Sequence, residues 1–305
     1  MTWYCSPAHS PVCPSLPGIR AVKDMDHGRF CAVNGEPGTT SPVNDTSYTG
    51  DIPVAIVTLV DRPYLVEAVT TLDSLHMTVT STSWAVVGGL MVQLLCAEAG
   101  VEGSRATEDA DLAVDVFDDR SSLRSLTDQL LRMGFYDGTP DSTTGDAQKS
   151  YRWVRDGLKI DFMVPQKMER QRFPARTATG KPAVEFPAVQ QAVQRSELVE
   201  VRVIGTSVTG RMRRPNLAGA IVIKAVAGVA DKRDTQRHWE DLALLGQICA
   251  DHPDLPAIRD SLKPDDRKRI RKVLKKMFPS NVFSRLENGE ESAAALDMLA
   301  APPRR

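Results

Sequence analysis

The chain has 305 residues, of which 42% are apolar, so it is long enough for one large or two ordinary domains with a buried core. Its 38 Lys and Arg residues nearly balance its 39 Asp and Glu residues, which excludes a chain-wide nucleic-acid-like charge excess and leaves any basic surface local. The five cysteines form no CxxC pair and have no histidine cluster nearby, so they do not indicate a zinc site. Because the sequence also has no membrane-length apolar run and no signal-peptide pattern, a cytoplasmic protein without a membrane partner is expected.

Residues 1–50 differ from the rest of the chain. They are rich in Pro, Gly, Ser and Thr and show no sustained hydrophobic period. Such a composition is typical of a segment that cannot bury enough apolar surface to become ordered. We therefore predict a disordered N-terminal extension.

Two helices are expected around the first strands. From Pro63 onward, apolar residues recur at helical spacing as far as Leu75, which predicts a helix packed on the core. A second helix is expected after Ser121 or Ser122, either of which can cap it, and it should end at Gly134.

Between these helices, residues 84–117 carry the pattern on which the functional prediction depends. The apolar run Trp84 to Val87 is followed by Gly88-Gly89 and then by a helix-like segment from Leu90 to Ala97 that ends near Gly100. This order predicts a strand, a tight glycine turn and a helix.

A pair of aspartates opens the next apolar run. Residues two apart on a strand share a face, so Asp109 and Asp111 are expected side by side, with Asp115 further along the same row. Neighbouring carboxylates repel each other, and a shared divalent cation relieves the repulsion. Mg²⁺ suits this pair because it takes one or two carboxylates together with substrate phosphates and water. The alternative is a solvated strand edge with scattered acids.

A β-hairpin is predicted further along the chain. Asp156-Gly157 separates the alternating runs Tyr151 to Arg155 and Leu158 to Val164, which is a strong hairpin pattern. Asp161 lies on the face opposite the apolar one. If the hairpin pairs beside the Asp109 strand, a third carboxylate reaches the site, where it can bind a second cation or accept a proton from an attacking hydroxyl. A solvated hairpin aspartate is the alternative.

Residues 166–214 are the least informative part, apart from strands predicted at 198–204 and 208–212. Pro215 then opens a helix from Asn216 to Ala230 with Lys224 in its apolar stripe. A buried ammonium needs a partner, and a phosphate would serve. The alternative is that the lysine stem reaches along the surface to water.

Another helix is predicted in the next segment, residues 231–253. Asp241 lies beside its inward stripe and is expected to orient Lys224 or Arg233 by a charged hydrogen bond. Ordinary pairing on the helix surface is the alternative.

Five groups of residues occur in order over roughly residues 63–250: Gly88-Gly89, Arg105-x-Thr107-x-Asp109-x-Asp111, Lys159-Ile160-Asp161-Phe162, Lys224, and Trp239-Glu240-Asp241-Leu242. In this order they resemble the motifs of AbiEii-type nucleotidyltransferases. That family includes the MenT-type toxins and belongs to the polymerase-beta-like minimal nucleotidyltransferase superfamily. The chain departs from the pattern at Leu90 and Met91, where many relatives carry a small hydroxyl residue, and at Arg237-His238, where a Lys-Asp pair is expected.

The resemblance implies an α+β fold, with a mixed, antiparallel-rich sheet of nucleotidyltransferase type flanked by helices and followed by a helical C-terminal domain. The catalytic domain would span residues 51–214 and the helical domain residues 215–305. Mg²⁺ would be bound by Asp109, Asp111 and Asp161. The residues expected to approach, neutralise or support the nucleotide are Gly88, Gly89, Arg105, Thr107, Lys224 and Asp241.

The activity implied is magnesium-dependent transfer of a nucleoside monophosphate from a nucleoside triphosphate to an RNA 3′ hydroxyl, for example that of a transfer RNA, with release of pyrophosphate. The enzyme would be of the toxin type, held by a partner antitoxin. A predicted helix over residues 263–277 has a basic outer face that suits RNA, although such faces are often only solvated. Two alternatives remain: modification of a protein side chain by nucleotidylation or phosphorylation, and a nucleotide-binding regulator without catalysis.

Overall fold

The computed structural model describes residues 52–57, 64–79, 81–102, 107, 109–140, 149–166 and 175–302, together with two short strands nearer the N-terminus. Contacts divide the chain into two compact units, residues 1–44 and 45–305. In the first unit, β1 (Ala21–Lys23) pairs antiparallel with β2 (Phe30–Ala32). Apart from these strands, the predicted disordered extension lies outside the described residues.

The second unit contains, in chain order, β3 (Val54–Val57), α1 (Leu65–Thr78), β4 (Trp84–Val87), α2 (Gly88–Ala99), β5 (Asp109–Val114), α3 (Ser122–Arg132), β6 (Tyr136–Asp137), β7 (Arg152–Arg155), β8 (Leu158–Pro165), β9 (Val184–Phe186), α4 (Val189–Gln194), β10 (Ser196–Val203), β11 (Thr209–Pro215), α5 (Leu217–Ala230), α6 (Thr235–Ala250), α7 (Leu255–Ser261), α8 (Pro264–Met277) and α9 (Gly289–Ala300).

The larger sheet has the strand order β4-β5-β8-β7-β6, with β9 beside the end of β8. The β5–β8 and β8–β9 pairs are parallel, and the other pairs are antiparallel. The smaller sheet has the order β11-β10-β3, in which β10 and β11 form an antiparallel hairpin and β3 pairs parallel with β10. The fold is therefore mixed α+β, with mixed sheets flanked by helices, as predicted.

Both faces of β4 are buried, and so are both faces of β5 from Leu112 onward. Trp84, Val86 and Leu112 pack in one cluster, the sheet core, with residues from α1, α3 and the smaller sheet. Ala85 and Ala113 point the other way into a second cluster, the helical core, with residues from α5, α6, α8 and α9. Residues alternate between two faces along a strand, so the two strands contribute to both cores. The predicted domain boundary between residues 214 and 215 falls inside the second unit.

Several predicted boundaries shift by a few residues. Helix α2 begins at Gly88 itself rather than after the two glycines. It ends at Ala99, and the C-cap Gly100 closes the last turn with a left-handed φ of 66°. Helix α5 begins at Leu217, because Asn216 acts as its N-cap and accepts a hydrogen bond from the Gly219 amide. Within the described residues, no helix is both long enough and apolar enough to cross a membrane.

Candidate active site

The structure brings the three predicted aspartates to one place. Strands β5 and β8 lie parallel, with Asp111 opposite Asp161 and Asp109 opposite Lys159. By strand alternation, all three carboxylates share the face of Ala113 and Met163, which contribute to or pack against the helical core. The aspartate predicted further along the row, Asp115, lies beyond the end of β5, where its carboxylate accepts a hydrogen bond from the Phe117 amide.

Gly88 fits against Asp111. Its backbone has a φ of +66°, a conformation that side chains rarely adopt, and a Cβ built there would lie 1.7 Å from Asp111 Oδ2. Val87, the residue before it, is the strand partner of Asp111. The first turn of α2 therefore passes so close to this carboxylate that only glycine can occupy the position.

Thr107 supports the other carboxylate of the pair. Its hydroxyl donates a hydrogen bond of 2.8 Å to Asp109 Oδ1, which limits the rotation of that side chain. Arg105, which was predicted to neutralise phosphate, lies outside the described residues.

Arg152 is a site residue that the sequence prediction missed. It lies opposite Asp161 across the β7–β8 hairpin, and its guanidinium forms two parallel hydrogen bonds to that carboxylate, 2.8 Å from Nε to Oδ1 and 2.6 Å from Nη2 to Oδ2. Nη2 is also 3.9 Å from Asp109 Oδ2. The sequence does allow this pairing to be predicted. A two-residue turn at Asp156-Gly157 pairs residue 155 with residue 158, and counting back along the hairpin pairs residue 152 with residue 161.

The clustered negative charges change the acid–base behaviour of the site. Burial raises the pKa of Asp111 to about 7, and the charges of Asp109 and Asp161 add to this rise, whereas Lys224 and Arg152 oppose it. Burial also raises the pKa of Asp161, against the opposing hydrogen bonds from Arg152. The carboxylates are thus held together at an electrostatic cost that added positive charge would relieve.

The donor set fits a cation that needs few protein ligands. Across the described ranges, no group of three or more His, Cys, Asp or Glu side chains is arranged to enclose a metal ion. Asp161 is already bound at both oxygens by Arg152, which leaves Asp109 and Asp111 as the open pair. Two carboxylates match Mg²⁺, which completes its octahedron with water and substrate phosphates.

Lys224 forms part of the facing wall, and Asp241 is its partner. Lys224 Nζ on α5 is 2.6 Å from Asp241 Oδ2 on α6, and each side chain is only 3% exposed. The predicted partner of Lys224 is therefore present, and it joins two helices that pack side by side. Arg233, the other residue considered for Asp241, is 92% exposed and lies near Asp231 instead.

A second residue that the sequence prediction did not assign, His238, lies at the edge of this wall. Its Nε2 is 3.4 Å from Asp231 Oδ2, and its Nδ1 is buried without a hydrogen-bond partner among the residues that the structure describes. Burial lowers the pKa of His238, and so does the charge of Lys224, against the effect of Asp231 and Asp241. The imidazole is therefore held toward its neutral form.

These residues line a single cleft of about 510 Å³. Gly88, Gly89 and the aspartates form one side, and Lys224 and His238 form the other. A cleft of this size holds a ligand as large as a nucleotide. No protein-family model matches the chain, and comparisons with curated proteins and with solved structures found no match.

Proposed function

We propose that the protein is a magnesium-dependent nucleotidyltransferase that moves a nucleoside monophosphate from a nucleoside triphosphate to a hydroxyl acceptor and releases pyrophosphate. The observation that carries the proposal is the convergence of Asp109, Asp111 and Asp161, from two separate segments, in a cleft bordered by Gly88 and by Lys224. This arrangement agrees with the fold that the resemblance to AbiEii-type enzymes implies.

The chain's own residues supply binding and orientation. The start of α2 has no side-chain cap, so its first backbone amides can donate hydrogen bonds to a phosphate. Lys224, fixed by Asp241, presents a positive charge from the facing wall. A bound Mg²⁺ would rest on Asp109 and Asp111 and stabilise charge on the phosphoryl oxygens during in-line displacement. Phosphoryl transfer needs little covalent chemistry from protein, so positioning and charge suffice.

The acceptor class is part of the proposal. Helix α8 buries Ile270, Val273, Leu274 and Met277 against the helical core, as predicted. Its outer face exposes five cations, namely Lys268, Arg271, Lys272, Lys275 and Lys276. A stripe of this kind suits a phosphate backbone, so we favour an RNA 3′ hydroxyl, as of a transfer RNA, over a protein side chain. Toxin action and a partner antitoxin, which the resemblance implies, belong to the same proposal.

The test is incubation with Mg²⁺, each labelled nucleoside triphosphate in turn, total RNA and cell extract, followed by gel separation. We expect label in RNA. Label in protein would move the acceptor to a side chain, and no label with any nucleotide would leave a binding protein without catalysis.

Isosteric substitutions test the site itself. Asp109→Asn and Asp111→Asn should each reduce transfer by a factor of at least about 10³, because each removes a metal ligand at a step that depends on charge stabilisation. Asp115→Asn is the matched control, since Asp115 follows the same strand but lies outside the cleft lining. Full activity in either cleft variant, with the fold verified by circular dichroism, would contradict the assignment.

A further inference from the structure

We propose that the cleft binds one divalent cation, on Asp109 and Asp111, and that Arg152 replaces a second cation by holding Asp161. This inference rests on the proposed function and deepens it, since it specifies how many metal ions the site takes. It reduces the predicted set of metal ligands from three aspartates to two and makes Asp161 part of an ion pair.

The contact between Arg152 and Asp161 has the geometry of a bidentate ion pair. The planar guanidinium meets both carboxylate oxygens at once, at 2.8 and 2.6 Å, an arrangement that is stronger and more directional than a single charged hydrogen bond. A metal ion at Asp161 would have to share these two oxygens with the positively charged guanidinium or displace it. The Asp161 side chain is 14% exposed, so breaking the pair would also leave a largely buried carboxylate without its guanidinium.

The backbone also holds Arg152 in place. Its amide donates to the Thr139 hydroxyl and its carbonyl accepts from the Gly138 amide, while the β7–β8 hairpin fixes it opposite Asp161. The side chain therefore starts from an anchored strand position. Its Nη2 leans toward Asp109 at 3.9 Å, beyond hydrogen-bonding distance, so the Asp109–Asp111 pair stays open for a ligand.

The charges of the site also favour one bound divalent cation. When all three carboxylates are ionised they carry three negative charges, and the Arg152 guanidinium offsets one of them. Two negative charges remain on this group before nucleotide binds, which one divalent cation neutralises. A second divalent cation would have to enter beside a fixed guanidinium, against its repulsion.

Titration with Mn²⁺ alone, followed by electron paramagnetic resonance of the free ion, counts the bound ions. We expect one ion in the wild-type protein and two in Arg152→Met, because the freed Asp161 joins the other two carboxylates. Lys159→Met is the matched control, since it removes one positive charge from the same face of β8, and it should still bind one ion. The double variant Arg152→Met/Asp161→Asn removes both members of the pair and should bind one ion with an affinity within about threefold of wild type.

Two ions in the wild-type protein, or one ion in folded Arg152→Met, would overturn the inference. If Arg152→Met fails to fold, the double variant decides, because a loss of its ion or a fall in affinity of more than threefold would show that Asp161 is a metal ligand. No bound ion in any of the proteins would defeat the proposed function together with the inference. Two wild-type ions with intact nucleotide transfer would defeat the inference alone.

Discussion

Gly88 has no side chain, which leaves room for the carboxylate of Asp111, one of the two ligands in the proposed metal site. Replacing it by alanine forces a Cβ into Asp111 and also strains the backbone, because its φ is +66°. We expect Gly88→Ala to lower the free energy of unfolding by about 1–2 kcal/mol and to weaken Mn²⁺ binding by at least about tenfold.

Gly100 provides a matched control for this substitution. It has the same φ of +66°, but a Cβ there would meet nothing within 4 Å. Gly100→Ala should therefore show the backbone penalty in chemical denaturation and retain Mn²⁺ binding. Equal losses of Mn²⁺ affinity in the two variants would disprove a steric role for Gly88 beside Asp111.

His238 should make stability depend on pH. Burial and the charge of Lys224 lower its pKa below 6.5, against the opposing charges of Asp231 and Asp241. The unfolded chain therefore binds more protons at this residue, so the His238 contribution to stability should fall as the pH drops below about 6.5, opposite in sign to the contribution of Asp111. We expect His238→Gln to reduce this slope, as measured by urea denaturation from pH 5 to pH 8. An unchanged slope would count against a buried neutral imidazole.

At the scale of elements, the Lys224–Asp241 pair connects α5 to α6 and so sets one wall of the cleft. Lys224→Met leaves a buried carboxylate without its cation and should cost about 3–5 kcal/mol of stability. Adding Asp241→Asn should recover part of the loss, with a coupling free energy of about 1–3 kcal/mol in a double-mutant cycle. The double variant should remain inactive in nucleotide transfer. Strictly additive stability losses would rule out a direct pair.

The elements also show what the sequence can and cannot predict. The hairpin of β7 and β8 followed from Asp156-Gly157 and from residue alternation, and the buried faces of α8 followed from helical spacing. To predict the pairing of Asp161 with Arg152, the register of the hairpin must be followed from the turn to those two residues. Residues 166–214 were harder, because β9 is short and only partly buried and α4 is a helix of six residues, so neither has room for a clear hydrophobic period.

At the scale of the whole molecule, the two cores share β4 and β5. Trp84 and Trp153 lie in the sheet core, whereas Trp239 packs against the helical core. Because β4 and the second half of β5 are buried on both faces, neither core can separate without exposing the other. Residues 45–305 should therefore unfold in one cooperative transition. Urea curves from far-ultraviolet circular dichroism and from tryptophan fluorescence, in wild type and in Trp239→Phe, should coincide, and two separate midpoints would contradict this expectation.

The tight turn at Asp156 and Gly157 has a consequence at a distance. It lies outside the cleft lining, yet its length decides which side chain of β7 faces Asp161. Inserting one residue there would shift the register by one position and carry the Arg152 guanidinium to the opposite side of the sheet. A change in loop length would thus separate Arg152 from Asp161 without altering either residue, and it would also move the buried Trp153 out of the sheet core.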